Sequence, residues 1–215
     1  MIFDTKTYIR SECAVFFTVD GPNGALSNMA PDMKLRINDV LILTSEALYQ
    51  AMRYPHLPQL QRAIIAEKSP MGAKMKSKPH RKTDSRPDWN DQVVNIMYWC
   101  LRVKLAQNWK KFSEALLATG DKPIVEQSSK DPFWGALVIN REKPKNGEKL
   151  QPLPSDQLKG KNVLGNLLMQ LRDQLRSDKR DDLLTVPPLP IDNFCLYGQP
   201  IGVIEAFNLA GKRTG

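Results

Sequence analysis

Residues 88–120 read DWNDQVVNIMYWCLRVKLAQNWKKFSEALLATG, and within them Val93, Met97, Leu101, Leu105, Trp109, Phe112 and Leu116 recur at steps of three and four. Side chains so spaced fall on one face of a 3.6-residue helix, so the stretch predicts a long amphipathic helix that buries that face. Asp88 stands at the N-cap position with Asp91 three residues on, the spacing of a capping box. Trp109 is where a second helix would begin after a bend, and Gly120 supplies the stop.

A chain built round such a helix needs further layers to cover it. Downstream, Val163, Leu164, Leu167, Leu168, Leu171 and Leu175 predict another amphipathic helix. Upstream, Ser45 is placed to cap a helix from Glu46, whose Leu48, Ala51 and Met52 share a face and which Pro55 ends. The stretch from Leu57 to Glu67 predicts a second short helix, and Pro70 opens a third that reaches Lys76. Short apolar runs at 14–19, 40–44, 124–126 and 136–139 predict strands. The expected class is α+β, a compact helix-rich single domain with a few short strands.

Asp20-Gly21-Pro22-Asn23-Gly24 is a turn signal, and Ala25 to Pro31 a short loop. Residues 141–159 are polar and carry Pro144, Gly147, Pro152 and Pro154, which predicts an exposed excursion. After Lys179 the composition changes, with Pro187, Pro188 and Pro190 ahead of an apolar stretch from Phe194 to Phe207. The expected division is a domain over 1–178 and a Pro-rich arm over 179–215 that wraps the domain or binds a partner. No internal repeat is visible.

The 215 residues are 41% hydrophobic and 25% charged, an ordinary globular composition. No apolar run approaches the roughly 20 residues that span a bilayer. The start, MIFDTKTYIRSEC, has no basic stretch leading into an apolar core. A cytoplasmic protein with no membrane partner is expected. Cys13, Cys100 and Cys195 lie far apart, and His56 and His80 are the only histidines. Neither a disulfide scaffold nor a structural zinc site is expected, and nothing calls for a metal or cofactor. The net charge of +8 favours an anionic partner such as nucleic acid, a nucleotide or a diphosphate, unless the basic surface serves solubility alone.

Walker A, GxGxxG, GxSxG and HExxH signatures are all missing. What stands out is a series of short polar and aromatic stretches. In chain order these are Ala25-Leu26-Ser27-Asn28-Met29-Ala30-Pro31, Ser45-Glu46-Ala47-Leu48-Tyr49-Gln50-Ala51, Ser69-Pro70-Met71 and Asp88-Trp89. Then come Leu101-Arg102-Val103-Lys104, Ile124-Val125-Glu126, Asp131-Pro132-Phe133-Trp134-Gly135 and Asn162-Val163-Leu164-Gly165-Asn166-Leu167-Leu168-Met169. This ordered set resembles the NADAR (YbiA-like) family over about residues 14–176. The resemblance implies a compact α+β fold and N-glycosidase activity on ribosyl compounds. Some members resemble enzymes of riboflavin-intermediate breakdown. Others remove ADP-ribose from guanine bases in DNA, as antitoxins to DarT-type toxins. The chain departs from the family pattern at Arg53, in Ala51-Met52-Arg53-Tyr54, where that pattern has a lysine, so no role of that lysine is carried over.

Cleavage at ribose C1′ passes through an oxocarbenium-like cation, which a placed carboxylate stabilises or whose attacking water it activates. Glu46 is the first candidate. Alone, an acid in a first helical turn would only complement the helix dipole, and the resemblance turns the reading toward catalysis. Asp131 is the second, to hold ribose hydroxyls or assist a proton transfer, or else simply to form a turn. Lys104, one position off the apolar stripe, is the third. It is either a desolvated lysine for phosphate or a Schiff base, or a snorkelling surface side chain.

Trp134, beside Gly135, and Trp89 are candidates to stack on a base ring, with core packing the alternative for Trp89. Ser27 and Asn28 are expected to face phosphate or ribose. Arg53 and the basic segment 68–86, with Lys76 and Arg81, are expected to hold phosphates. Glu126 is either a supporting residue or a surface acid. The expected function is hydrolytic removal of ADP-ribose from ADP-ribosylated guanine in DNA, with ADP-ribose or ADP-ribosylated DNA as ligand and a toxin as candidate partner. The alternatives are the same chemistry on a small ribosyl nucleotide, such as a riboflavin-pathway intermediate, and a non-catalytic ADP-ribose-binding module.

Overall fold

A computed structural model of the chain describes residues 3–139 and 156–206. Most of the polar excursion expected at 141–159 and the end of the arm lie outside the described residues. Strands β1 (Lys6–Ile9) and β2 (Ala14–Phe16) come first, then a single 3-10 turn at Gly24–Leu26 and the hairpin of β3 (Leu35–Ile37) and β4 (Val40–Ile42). Three short helices follow, α1 (Ser45–Ala51), α2 (Pro58–Ile65) and α3 (Pro70–Ser77). The long amphipathic stretch forms α4 (Trp89–Gln107) and α5 (Trp109–Leu117). They break at Asn108, whose side chain donates to the carbonyls of Lys34 and Lys104. Next are β5 (Ile124–Ser128), β6 (Ala136–Val138), β7 (Gln157–Gly160) and α6 (Val163–Leu175). Four two-residue strands close the described chain: β8 (Thr185–Val186), β9 (Cys195–Leu196), β10 (Gln199–Pro200) and β11 (Ile204–Glu205).

The main sheet has the order β1-β7-β6-β5-β2 and is mixed. β5 lies parallel between β2 and β6, and β7 runs antiparallel to both β6 and β1. The structure thus adds β1, β3, β7 and the short β8 to β11 to the strands that the apolar runs predict. Lys6–Ile9 and Gln157–Gly160 each show polar positions to solvent, which breaks an apolar run without breaking a ladder. Residues 157–159, expected in the exposed excursion, sit instead inside the sheet.

Two helix starts also differ from expectation. Thr44, not Ser45, caps α1, its Oγ1 accepting from the Ala47 N–H at 3.2 Å. Asp88 caps nothing with its side chain, because its carboxylate is taken by the Arg86 guanidinium.

One core joins the buried faces of α1, α4, α5 and α6 to the sheet. The closest approach is between α6 and β5. A Cβ on Gly165 would lie 2.1 Å from the Ile124 carbonyl oxygen, so only glycine lets the helix come so near. Asn162, in the left-handed region at φ 50°, finishes the join. Its Nδ2 donates to the Ile124 carbonyl at 2.8 Å, and its Oδ1 accepts from the Glu126 N–H at 3.0 Å.

The stretch after α6 packs back on the helices. Trp99 donates to the Pro187 carbonyl and meets Phe194 edge-on at 4.8 Å between ring centroids. Gln61 accepts from the Tyr197 N–H and donates to the Cys195 carbonyl, while Arg86 donates to the Asp192 carbonyl. No described helix is long and apolar enough to cross a membrane.

Candidate active site

A cleft of about 440 Å³ opens between α1, α3 and the loops that follow β2 and β5. Its deepest acid is Glu46, in the first turn of α1 and only 7% exposed. Two contacts bind that turn to the loop at 24–28. The Glu46 N–H donates to the Asn28 carbonyl at 3.0 Å, and Ser45 Oγ donates to Asn28 at 3.2 Å. Ser27 and Asn28 therefore reach the cleft wall together with Glu46.

One turn on from Glu46 is Gln50, buried on the same face of α1. Its Nε2 donates to Glu46 Oε1 at 2.9 Å. Its Oε1 accepts from Ser77 Oγ at 2.7 Å and from Arg81 Nη2 at 3.2 Å. With both ends of the amide engaged, Gln50 cannot turn, and it holds one Glu46 oxygen in a set position.

The second acid comes from the sheet. Glu126 lines the cleft from β5, and its carboxylate accepts no hydrogen bond among the described residues. Burial, reinforced by Glu46 and opposed by Lys74, pushes its carboxyl up to about 7. The chemical consequence is a group able to give or take a proton near neutrality, beside a second carboxylate. Asp131 also lines the cleft, but its Oδ1 already accepts from the Phe133 and Trp134 N–H groups at 2.9 and 3.0 Å. That turn sets Trp134 in the wall, edge-on to Tyr49 at 5.8 Å between centroids. Burial, with Glu46 nearby, holds the Tyr49 hydroxyl well above its ordinary range, so it stays protonated.

Cations from the helical side complete the lining: Arg53 after α1, Lys74 on α3 and Arg81 beyond it. Arg53 is braced from behind, its Nε donating to Ser85 Oγ at 2.7 Å and its guanidinium lying 4.3 Å above the Trp89 ring. Arg81 Nε is buried and has no partner among the described residues.

Of the residues singled out from sequence, Glu46, Asp131, Ser27, Asn28, Arg53, Arg81 and Trp134 line this one cleft. Four others lie off its lining. Lys104 is buried under the 24–28 loop, where its Nζ donates to the Ala25 and Ser27 carbonyls at 2.9 and 2.8 Å and lies 4.1 Å from the Phe112 ring centroid. Burial lowers its ammonium to about 7. Trp89 packs in the core against Tyr49 and Arg53. Gly135 passes so close to β5 that a Cβ would fall 2.6 Å from the Glu126 carbonyl oxygen. Lys76 is half-exposed and paired with Glu67 at 3.4 Å.

Gln50 is a cleft residue that sequence reasoning passed over, and Lys74 lines the cleft as a member of the basic segment expected to hold phosphates. The four-residue step from Glu46 to Gln50 was the available signal for the first. Among the described residues no cluster of His, Cys, Asp or Glu is arranged to hold a metal ion.

Comparison with known proteins adds a family model described as the NADAR domain, which matches residues 15–176. The N-glycosidase YbiA of Escherichia coli is 31% identical over 169 residues, covering 76% of this chain and 89% of its own. A riboflavin biosynthesis protein of Vibrio vulnificus is 27% identical over all 215 residues, and the match spans 51% of that longer protein. The solved structure of Escherichia coli YbiA superposes with a TM-score of 0.60 at 26% identity, over 81% of this chain and 90% of that one.

Proposed function

The chain belongs to the NADAR domain family, and from that premise we propose that its cleft hydrolyses the N-glycosyl bond between ADP-ribose and a guanine base in nucleic acid. The N-glycosidase activity rests on the likeness to the YbiA enzymes. The observation that carries the substrate is the division of the lining, with Glu46 and Glu126 set against Arg53, Lys74 and Arg81. Carboxylates suit a glycosyl cation, and Arg53, Lys74 and Arg81, with Lys130 from the loop after β5, suit a diphosphate.

In the mechanism, the bond from C1′ to the base nitrogen breaks as positive charge gathers on the ribose. Glu46, held by Gln50, stabilises that charge and takes a proton from the water whose oxygen joins C1′. Glu126, protonated near neutrality, gives its proton to the departing nitrogen. Exchange with solvent then returns both carboxyls to their starting states. Trp134 and Tyr49 supply aromatic wall, and Lys104 keeps the Ser27 loop in place from beneath.

The test is release of ADP-ribose, with restored guanine, from an ADP-ribosylated oligonucleotide. Glu46→Gln should still bind ADP-ribose and lose cleavage by at least about a hundredfold. Wild-type turnover in that variant would remove Glu46 from the chemistry. A second reading, cleavage of a small ribosyl nucleotide, is favoured by the match of this whole chain to about half of the Vibrio vulnificus riboflavin biosynthesis protein. Turnover on ribosyl-5-phosphate compounds but not on the oligonucleotide would select it. No toxin partner is needed by either reaction.

A further inference from the structure

Among the described residues large apolar side chains exposed to water are few, and three of them gather at one place. Phe17 is 54% exposed, Met71 54% and Met75 53%. Phe17 follows β2 on the sheet side, and Met71 is in the first turn of α3, so each lines the cleft from a different wall. Met75 does not line the cleft. It stands one helical turn further along α3 and carries the apolar surface outward. Lys74 and Lys78 follow the same four-residue step beside the two methionines, so cationic and apolar side chains alternate along one strip.

We propose that Phe17, Met71 and Met75 form a stacking entrance for an unpaired stretch of a nucleic-acid strand, which holds the target base while its sugar reaches the cleft floor. The proposal rests on the reading of the cleft as a site for a ribosylated base. Depth gives the orientation. Glu46 is at the floor, so a glycoside with C1′ beside it points its base toward the mouth, where Phe17 and Met71 wait. Flat ring faces bind aromatic and thioether side chains well, and phosphates of the flanking nucleotides suit the interleaved lysines. A base inside a duplex cannot offer its ring face to side chains at the mouth until it leaves the stack. Met75 and Lys78 lie off the cleft lining, so a mononucleotide confined to the cleft would not touch them, whereas a strand that runs on past the mouth would.

The experiment compares wild type with Phe17→Ala, Met71→Ala, Met75→Ala and Phe17→Trp in the full chain, by two readouts. The first is anisotropy of an unmodified single-stranded oligonucleotide, with a duplex as control. The second is kcat/KM on the same strand carrying ADP-ribosylated guanine. Each alanine variant should weaken single-strand binding and kcat/KM by about tenfold, the effect of removing one stacking partner. Phe17→Trp should keep both, the duplex should bind at least about tenfold more weakly, and melting temperatures should stay level because all three side chains are exposed. Wild-type binding in the alanine variants, or equal binding of duplex and single strand, overturns the entrance even if ADP-ribose is still released. Alanine-sensitive single-strand binding without any release of ADP-ribose upholds the entrance and overturns the proposed reaction.

Discussion

At Glu126 one proton is tied to both chemistry and stability. The folded-state value of about 7 lies above the ordinary 4.5, so between them the native chain holds a proton that the unfolded chain has released. The stabilisation is whole below about 4.5 and fades as pH rises through about 7. Glu126→Gln should therefore gain melting temperature over wild type at about pH 8 and much less at about pH 5. The same variant should cut kcat by about a hundredfold and erase the fall of activity above neutrality. A pH–rate profile beside paired melting curves reads both effects, and an unchanged alkaline limb would take Glu126 out of proton transfer. Trp134→Ala should weaken ADP-ribose binding by roughly 1–3 kcal/mol in titration calorimetry and leave the fold intact. Glu46, Asp131 and Trp134 could be singled out because they stand in short polar stretches that carry the family resemblance, and for Glu46 that resemblance outweighed the plain reading of a first-turn acid. Lys104 and Trp89 could not be placed that way. Helical periodicity tells which face is buried but not whether a cleft or a neighbouring loop lies beyond it. Glu126 stayed ambiguous because what holds its backbone, Asn162, comes from a distant turn.

Between α1 and α4, the basic segment divides into parts with different work. Arg86 is buried and spends its donors on Asp88 and the Asp192 carbonyl. Lys76 is paired with Glu67, and Arg81 is engaged by Gln50. Lys74 and Lys78 stand beside Met71 and Met75 on the strip at the entrance. Replacing both by Gln should flatten the salt dependence of oligonucleotide affinity by about 0.7–0.9 in log K against log salt for each phosphate that the strip no longer neutralises. Binding titrations across a salt series measure this, and an unaltered slope would remove nucleic acid from this strip. A charge run in sequence cannot be sorted into paired, buried and free members, because the partners come from elsewhere in the fold. The close joint of α6 on β5 is likewise visible only in three dimensions, although Asn162 and Gly165 stand in a motif readable from the start. Gly165→Ala drives a Cβ into the Ile124 carbonyl, and should lower the melting temperature sharply or prevent soluble expression.

Across the whole molecule, the stretch beyond α6 is part of the same core as the helices before it. Phe194, Leu196, Ile201 and Ile204 are buried with Trp99 and Ile64. Phe194→Ala should cost about 3–5 kcal/mol in denaturant unfolding, the range for emptying a buried aromatic site, while cleavage per folded molecule persists. The long helices of this architecture were readable because α4 and α6 repeat an apolar face over several turns, and the short ones because Ser45, Pro55 and Pro70 mark their ends. Strands such as Lys6–Ile9 hid because four residues with one wet side carry almost no pattern. The sheet order has a consequence in time. Ala14 pairs with Ile124, so the strand that carries Glu126 has on one side chain made about a hundred residues earlier, has on the other β6, made just after it, and is locked by Asn162, made later still. Ladders that span such distances close slowly, since most of the chain must be gathered first. During synthesis Glu46 on α1 emerges well before Glu126 on β5, so the two acids can face one cleft only after the chain has passed Ser128.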